Sequence, residues 1–118
     1  IASHHQPQDW DHKTCEFEYA KDGMEGLESV YGVARICGIT PEDFVKMQTE
    51  NTRNVFNLPV PKINKNEIAN LTMFNTDEEY TFEEKNIFSK CRNNAFIGKT
   101  LKGRVIGIIN GEKVFLPE

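Results

Sequence analysis

Two prolines, Pro59 and Pro61, divide the 118-residue chain into halves of different character. Proline has no backbone N–H to donate and clashes inside a helix, so a helix that reaches this point must end there. The residues before Pro59 carry helical signals, and those after Pro61 carry strand signals. The sequence therefore predicts two structural units, residues 1–58 and residues 59–118.

Helical spacing dominates the first unit. Apolar residues recur at roughly helical intervals over residues 24–37, and Gly38 follows where a left-handed cap is favoured, which predicts an amphipathic helix. Thr40 and Pro41 then offer an N-cap hydroxyl and a proline at the first helical position of a second helix. Its buried side is expected to hold Phe44, Val45 and Met47, and residues 52–56 are expected to continue or restart the helix.

Strand signals dominate the second unit. Residues 69–74 and 103–109 are rich in β-branched and large apolar side chains, which predicts two strands. The dipeptide Asn110-Gly111 favours a type I′ hairpin that leads to Val114. The polar residues 75–90 are expected to form a mobile excursion, whose acidic side chains lack the spacing of a calcium loop and are expected to be solvated.

Composition excludes several classes of function. Acids and bases are interspersed with a net charge of -4, so the chain has no basic field for nucleic acid. No apolar run approaches the length of a membrane span. The three cysteines are odd in number and far apart, which is typical of reduced thiols. These features predict a cytoplasmic protein without a nucleic-acid or membrane partner.

The opening octapeptide, Ile-Ala-Ser-His-His-Gln-Pro-Gln, resembles the Ile-Ala-Thr-Asp-His-Ala-Pro-His of the last barrel strand and loop of dihydroorotases. Later blocks resemble the same family in the same order. Residues 17–28 follow its Phe-Glu-x-Ala-Pro-Phe-Gly-Ile-x-Gly-Leu-Glu stretch, and residues 89–98 follow its Ser-Lys-x-x-Asn-Thr-Pro-Phe-x-Gly. Further matches to a helix end, a strand and a Leu-Lys-Gly-x-Val tail lie at residues 49–58, 66–75 and 101–105. The ordered set is specific, although each block alone is short.

This resemblance implies the α/β fold of the amidohydrolase superfamily, a (β/α)₈ barrel with an added small β-domain. Such a barrel needs roughly 250 residues, so the chain is expected to be a C-terminal fragment of a longer protein. Residues 1–58 are then the last β/α unit of the barrel with its following helices. Residues 59–118 are the C-terminal part of the small β-domain.

The resemblance also implies a chemistry, the zinc-dependent hydrolysis of dihydroorotate to carbamoyl aspartate in pyrimidine biosynthesis. His4 occupies the position of the family's catalytic Asp, which serves as general base beside a zinc pair. Gln8 replaces a substrate-contacting His, and Lys21-Asp22-Gly23 replaces the Pro-Phe-Gly that closes over the substrate. The candidate site residues are therefore His4 for catalysis and Gln8, Asp22 and Gly23 for substrate. The zinc ligands of the family lie mostly upstream, and no metal ligand is expected in this segment.

Histidine is a poor replacement for the acid at position 4. An imidazolium beside two dications is disfavoured, and the larger ring needs a different pocket, so His4 is expected to impair or abolish hydrolysis. The preferred hypothesis is an inactive homologue that acts as a structural partner of aspartate transcarbamoylase. The remainder of its own barrel and further copies of the protein are the other expected partners. An active cyclic amidohydrolase with a modified site, or a stand-alone structural or binding module, are the alternatives.

A separate metal site at His4, His5 and His12 is a further alternative. Adjacent residues of a strand point to opposite faces, so His4 and His5 do not easily converge on one ion. The simpler interpretation is that His5 makes a capping hydrogen bond while His4 fills space. Trp10, between two aspartates, is expected to pack within the protein or to contact a partner.

Overall fold

Thr40 begins a continuous helical stretch in the computed structural model of the chain, which describes residues 1–116. The Thr40 hydroxyl accepts a hydrogen bond from the Asp43 backbone N–H at 3.1 Å, and Pro41 opens helix α2, Pro41–Lys46. A π-helical turn, Met47–Asn51, joins α2 directly to α3, Thr52–Val55. The predicted N-cap is confirmed, and the helix continues through residue 52.

The helical half ends where the prolines require. Asn57 takes a left-handed conformation with φ 52°, and the Leu58 N–H donates to the Arg53 carbonyl at 2.8 Å. This closing bond satisfies one of the carbonyls that a helix leaves free at its C-terminal end. Residues 59–69 then form neither helix nor strand. The predicted end of the helix before Pro59 is confirmed.

Helix α1, Val30–Ile36, is shorter than the predicted span of residues 24–37. Its expected first turns are held in other contacts, because the Glu25 N–H donates to the Asn93 carbonyl at 2.9 Å and the Gly26 N–H donates to His5. The C-terminal end follows the prediction, since Gly38 adopts φ 86°. Tertiary hydrogen bonds have therefore overridden the helical periodicity at the N-terminal end.

The second half forms an antiparallel sheet in the order β1-β2-β3, with strands Asn70–Thr81, Thr100–Asn110 and Lys113–Phe115. Both predicted strands are present and longer than predicted. The prediction of a mobile excursion is wrong for residues 75–81, which belong to β1. Two of their three acids are ion-paired across the strands, Asp77 with Lys102 at 3.5 Å and Glu78 with Arg104 at 3.3 Å.

The hairpin after β2 lies where it was predicted but has a different turn type. Asn110 pairs with Lys113, so the two central residues are Gly111 and Glu112. Of these only Gly111 has a positive φ, at 60°. A type I′ turn needs positive φ at both central residues, whereas a type II′ turn needs it only at the first. The type I′ prediction is therefore wrong, and the backbone follows the type II′ pattern.

The core lies between α1 and the sheet. Phe82, Ile87 and Leu101 are buried, and Val33, Tyr80 and Phe96 pack against them. Helix α1 approaches β2 closely at Gly32, where an added Cβ would lie 2.9 Å from the Leu101 Cβ. Two of the three core residues come from the polar stretch 75–90, so that stretch anchors the fold and is not an excursion.

Residues 1–9 form no strand, although the sequence resemblance predicted a barrel strand there. A strand needs neighbours for its backbone N–H and C=O groups, and no other strand of the described residues lies beside these. His4 also interrupts an extended backbone with φ 49°. The barrel strand is thus not confirmed by the structure.

The surface is large for a chain of this mass. The accessible area is 8967 Å², whereas a compact monomer of this size exposes about 6,500 Å². The radius of gyration is 16.3 Å, against about 13.5 Å for a compact domain of equal length. Many large apolar side chains are exposed, including Phe17, Val55 and Ile63. Among the described residues, none of the helices has the length and apolar character to cross a membrane.

Candidate functional site

Three segments that are distant in sequence meet at one junction. We call residues 1–9 the opening loop and residues 88–94 the closing segment; residues 23–29 lie between them. The Gln6 N–H donates to the Met24 carbonyl at 2.9 Å, and the Asn93 side-chain amide donates to the Gly23 carbonyl at 3.2 Å. The junction therefore joins three of the sequence blocks on which the dihydroorotase resemblance rests.

Glu25 is the centre of this junction and is fully buried. Its Oε1 accepts hydrogen bonds from the N–H groups of Leu27 at 2.6 Å and Glu28 at 3.2 Å. Its Oε2 accepts from the Asn94 side-chain amide at 2.8 Å, and the same amide nitrogen lies 3.0 Å from the Ser29 hydroxyl. Burial raises the pKa of Glu25, and the neighbouring Glu28 carboxyl raises it further. Desolvation thus favours the neutral form of this acid.

Glu28 ties the start of α1 to the closing segment. Its Oε1 accepts from the backbone N–H groups of Phe88 at 2.9 Å and Ser89 at 2.8 Å. Burial opposes ionisation of Glu28, but the neighbouring Glu25 side chain and the backbone N–H groups of Phe88 and Ser89 outweigh this effect and lower the pKa of Glu28. Neither glutamate was among the site residues predicted from the sequence. The only available signal was that Glu28 and Ser89 each belong to a matched family block.

His4, the candidate catalytic residue, is exposed and does not fill space as one interpretation expected. Its φ of 49° lies in the left-handed region, where Asp, Asn and His occur more often than other non-glycine residues. An Asp and a His both suit this backbone. The exchange of Asp for His that the family resemblance implies at position 4 therefore changes the side-chain chemistry and is compatible with the same backbone conformation.

His5 makes the hydrogen bond that the sequence analysis anticipated, although not as the cap of a strand. Its Nδ1 accepts from the Gly26 N–H at 3.2 Å. A neutral His5 with Nδ1 as acceptor carries its proton on Nε2. The imidazole thus holds residue 26 with one nitrogen and keeps a donor available on the other.

The substrate-position candidates are divided between the junction and the surface. The Gln8 carbonyl accepts from the Cys91 thiol at 2.9 Å, and the Gly23 carbonyl accepts from Asn93, so both lie against the closing segment. Asp22 is exposed, as is His4. The structure therefore brings Gln8 and Gly23 to one segment and leaves His4 and Asp22 outside that contact.

A cavity of about 550 Å³ lies between the opening loop and the closing segment. Polar and charged side chains line much of it, among them His5, Gln8, Ser89, Lys90 and Arg92. Trp10 also lines it and is 76% exposed, so this side chain does not pack within the described part of the chain. The lining combines the cationic Lys90 and Arg92 with the acidic Asp9 and Glu84, so it carries charges of both signs.

The histidines do not assemble a metal site. Within residues 1–116, no group of three or more His, Cys, Asp or Glu side chains is placed to hold a metal ion. His4, His5 and His12 therefore do not form the separate site weighed from the sequence. The described residues therefore do not by themselves provide a site for a zinc ion. The three cysteines are free thiols.

Sequence comparison places this chain in a family. No family model matches the chain. Curated dihydroorotases match it over 98% of its length. The dihydroorotase of Clostridium acetobutylicum is 36% identical to this chain, and those of Chlorobaculum tepidum and Clostridioides difficile are each 31% identical. The chain spans only 28% of the length of these relatives. It is a C-terminal portion of a dihydroorotase-like protein.

Proposed function

We propose that the chain is part of a pyrimidine-biosynthesis protein that does not hydrolyse dihydroorotate and that acts as a structural partner of aspartate transcarbamoylase. The observation that carries this proposal is His4, which stands where the resemblance places the catalytic acid. Gln8 and Asp22 depart from the family pattern at two further substrate positions. The proposal concerns the whole protein, of which this chain is one portion.

The chemistry of position 4 supports the loss of hydrolysis. A carboxylate there is an anionic acceptor of a proton from the attacking water, whereas a neutral imidazole brings no negative charge and a protonated one brings positive charge. The left-handed backbone of His4 keeps the loop in a shape that also suits Asp. The difference at this position is therefore chemical, and its contribution can be tested by one substitution.

The architecture of the whole protein belongs to the same proposal. In it, residues 1–58 complete a (β/α)₈ barrel and residues 59–118 complete a small β-domain. An apolar groove of about 660 Å³ between α1 and the sheet supports this view, with Leu27, Val30, Tyr31 and Phe88 in its lining. We assign this groove to the remainder of the same polypeptide, because the relatives are much longer than this chain and the exposed area exceeds that of a compact monomer.

The substitution His4→Asp tests the chemical part of the proposal in the full-length protein. Because general base catalysis contributes about 10²–10⁴-fold, the Asp variant is expected to hydrolyse dihydroorotate at least about 100-fold faster than His4→Asn. Asn is the matched control, since it has the size of Asp, lacks the charge and also tolerates a left-handed backbone. Steady-state turnover by the purified zinc-loaded variants is the measurement. Equal rates for the two variants would show that position 4 does not limit hydrolysis.

The assembly part of the proposal predicts a stable complex. The full-length protein and the aspartate transcarbamoylase of the same organism, mixed at micromolar concentration, are expected to elute together in size-exclusion chromatography. Light scattering then gives the mass of the complex. Separate elution of the two proteins at this concentration would contradict the assembly role and leave the hydrolysis result unaffected.

A further inference from the structure

Glu28 has a buried oxygen that nothing in the described structure satisfies. Its Oε1 binds the N–H groups of Phe88 and Ser89, but its Oε2 is buried without a hydrogen-bond partner. Leaving a charged acceptor buried and unpaired is costly, because it has lost its hydration and gained no donor. A donor is therefore expected next to this atom.

The neighbouring carboxyl group can supply that donor. Glu25 is fully buried, and its Oε1 already accepts two backbone N–H groups. Its Oε2 accepts from Asn94, and an oxygen of a protonated carboxyl can accept one bond and donate another. A proton on the Glu25 carboxyl can satisfy Glu28 and removes a charge from a fully buried site.

We propose that Glu25 and Glu28 share one proton and thereby form a pH-responsive latch between the opening loop and the closing segment. The Glu28 N–H binds the Glu25 Oε1 at 3.2 Å, and the two side chains are neighbours in the junction. Two neighbouring carboxyl groups in a buried site repel one another when both ionise, so one proton between them is the stable arrangement. Glu25 holds the proton, because it is the more deeply buried of the two. Glu28, which receives two backbone N–H bonds, is the anion.

The latch reaches the opening loop through residues 25 and 26. The Glu25 N–H binds the Asn93 carbonyl, and the Gly26 N–H binds His5. His5 is the other titratable group that faces the pair, with its Nδ1 3.8 Å from the Glu25 Oε1. Lys85 lies in the same groove as Glu28 but is paired with Glu83.

The direction of the pH effect follows from the opposite pKa shifts of Glu25 and Glu28. The raised pKa of Glu25 gives a contribution to stability that is lost as the pH rises through that pKa. The lowered pKa of Glu28 gives a contribution that is lost as the pH falls through it. The shared proton is therefore retained at pH values between the lowered pKa of Glu28 and the raised pKa of Glu25. At higher pH Glu25 ionises, and the contact between the opening loop and the closing segment is weakened.

The variant Glu28→Gln tests the shared proton in the full-length protein. A Gln side chain keeps a carbonyl for Phe88 and Ser89 and places an N–H₂ where the unsatisfied oxygen was, so it supplies the donor without a titrating proton. The readout is amide hydrogen exchange of a peptide covering residues 88–94, followed by mass spectrometry and corrected for intrinsic exchange rates. The wild type is expected to lose protection at least about threefold as the pH rises through the raised pKa of Glu25, whereas Glu28→Gln is expected to show a flat profile.

Glu84→Gln is the matched control, because this exposed glutamate lies close to the closing segment and outside the pair; it is expected to follow the wild type. If Glu28→Gln does not fold, Glu25→Gln serves instead. The Glu25→Gln variant places an amide N–H₂ against the Asn94 side-chain amide. Residues 88–94 are therefore expected to be less protected from hydrogen exchange at every pH, with no further loss of protection at alkaline pH. A flat wild-type profile, or an alkaline loss of equal size in the Gln variant, would overturn the proposal.

Discussion

Replacing Phe82 with Ala is expected to destabilise the protein by about 3–5 kcal/mol, the usual cost of removing a buried phenylalanine ring. Phe82 is 0% exposed and shares the core with Ile87 and Leu101. Its backbone also closes the loop before β2, since its N–H donates to the Lys99 carbonyl and its carbonyl accepts from the Gly98 N–H. These bonds hold residue 82 in place, so the surrounding core cannot easily collapse into the cavity left by the ring.

The control for this substitution is Glu112→Ala. Glu112 is an exposed charged residue in the turn between β2 and β3, so its truncation is expected to change stability by less than about 0.5 kcal/mol. The free energy of unfolding of the full-length protein in urea is the measurement for both variants. A loss below about 1 kcal/mol for Phe82→Ala would mean that residues 75–90 do not anchor the core as described.

Replacing Gly23 with Ala is expected to disrupt the opening loop. Gly23 has φ 107°, beyond the left-handed region that other residues occupy, which costs about 1–3 kcal/mol for a residue with a side chain. An added Cβ would also lie 2.5 Å from the Gln6 carbonyl oxygen, and the Gln6 backbone is held by its bond to Met24. Backbone strain and the steric clash with Gln6 therefore both destabilise the Gly23→Ala variant.

Gly98→Ala separates these two contributions. Gly98 also has a positive φ, at 80°, but nothing lies within 4 Å of a Cβ built there. The Gly98→Ala variant is therefore expected to lose only the stability that backbone strain costs. Its thermal unfolding midpoint is expected to fall less than that of Gly23→Ala. Equal falls for the two variants would argue that the opening loop does not pack on residue 23.

Local signals in the sequence predicted local structure well. Thr40 with Pro41 identified the start of α2, and Pro59 identified the end of the helical half, because capping and proline geometry act within a few residues. The helix predicted from residue 24 began six residues late. Its first residues are bound to Asn93 and His5, which are distant in sequence and which no helical period can reveal.

The polar stretch 75–90 shows a second limit of sequence reasoning. Its average composition indicated a solvated loop, but Phe82 and Ile87 are two apolar residues within it, and both entered the core. At the junction, the family blocks identified which segments matter but not that Glu25 would be buried. That burial follows from the approach of Asn94, a contact between residues 69 positions apart.

The measurement that tests the central claim most directly is the turnover of dihydroorotate by the wild-type, full-length protein in the presence of zinc. Because we propose that His4 stands in place of the catalytic acid, we expect no hydrolysis above the uncatalysed rate under conditions in which an active dihydroorotase, assayed in parallel, turns over fully. Turnover by the wild type at a rate comparable with that enzyme would contradict the proposed loss of function.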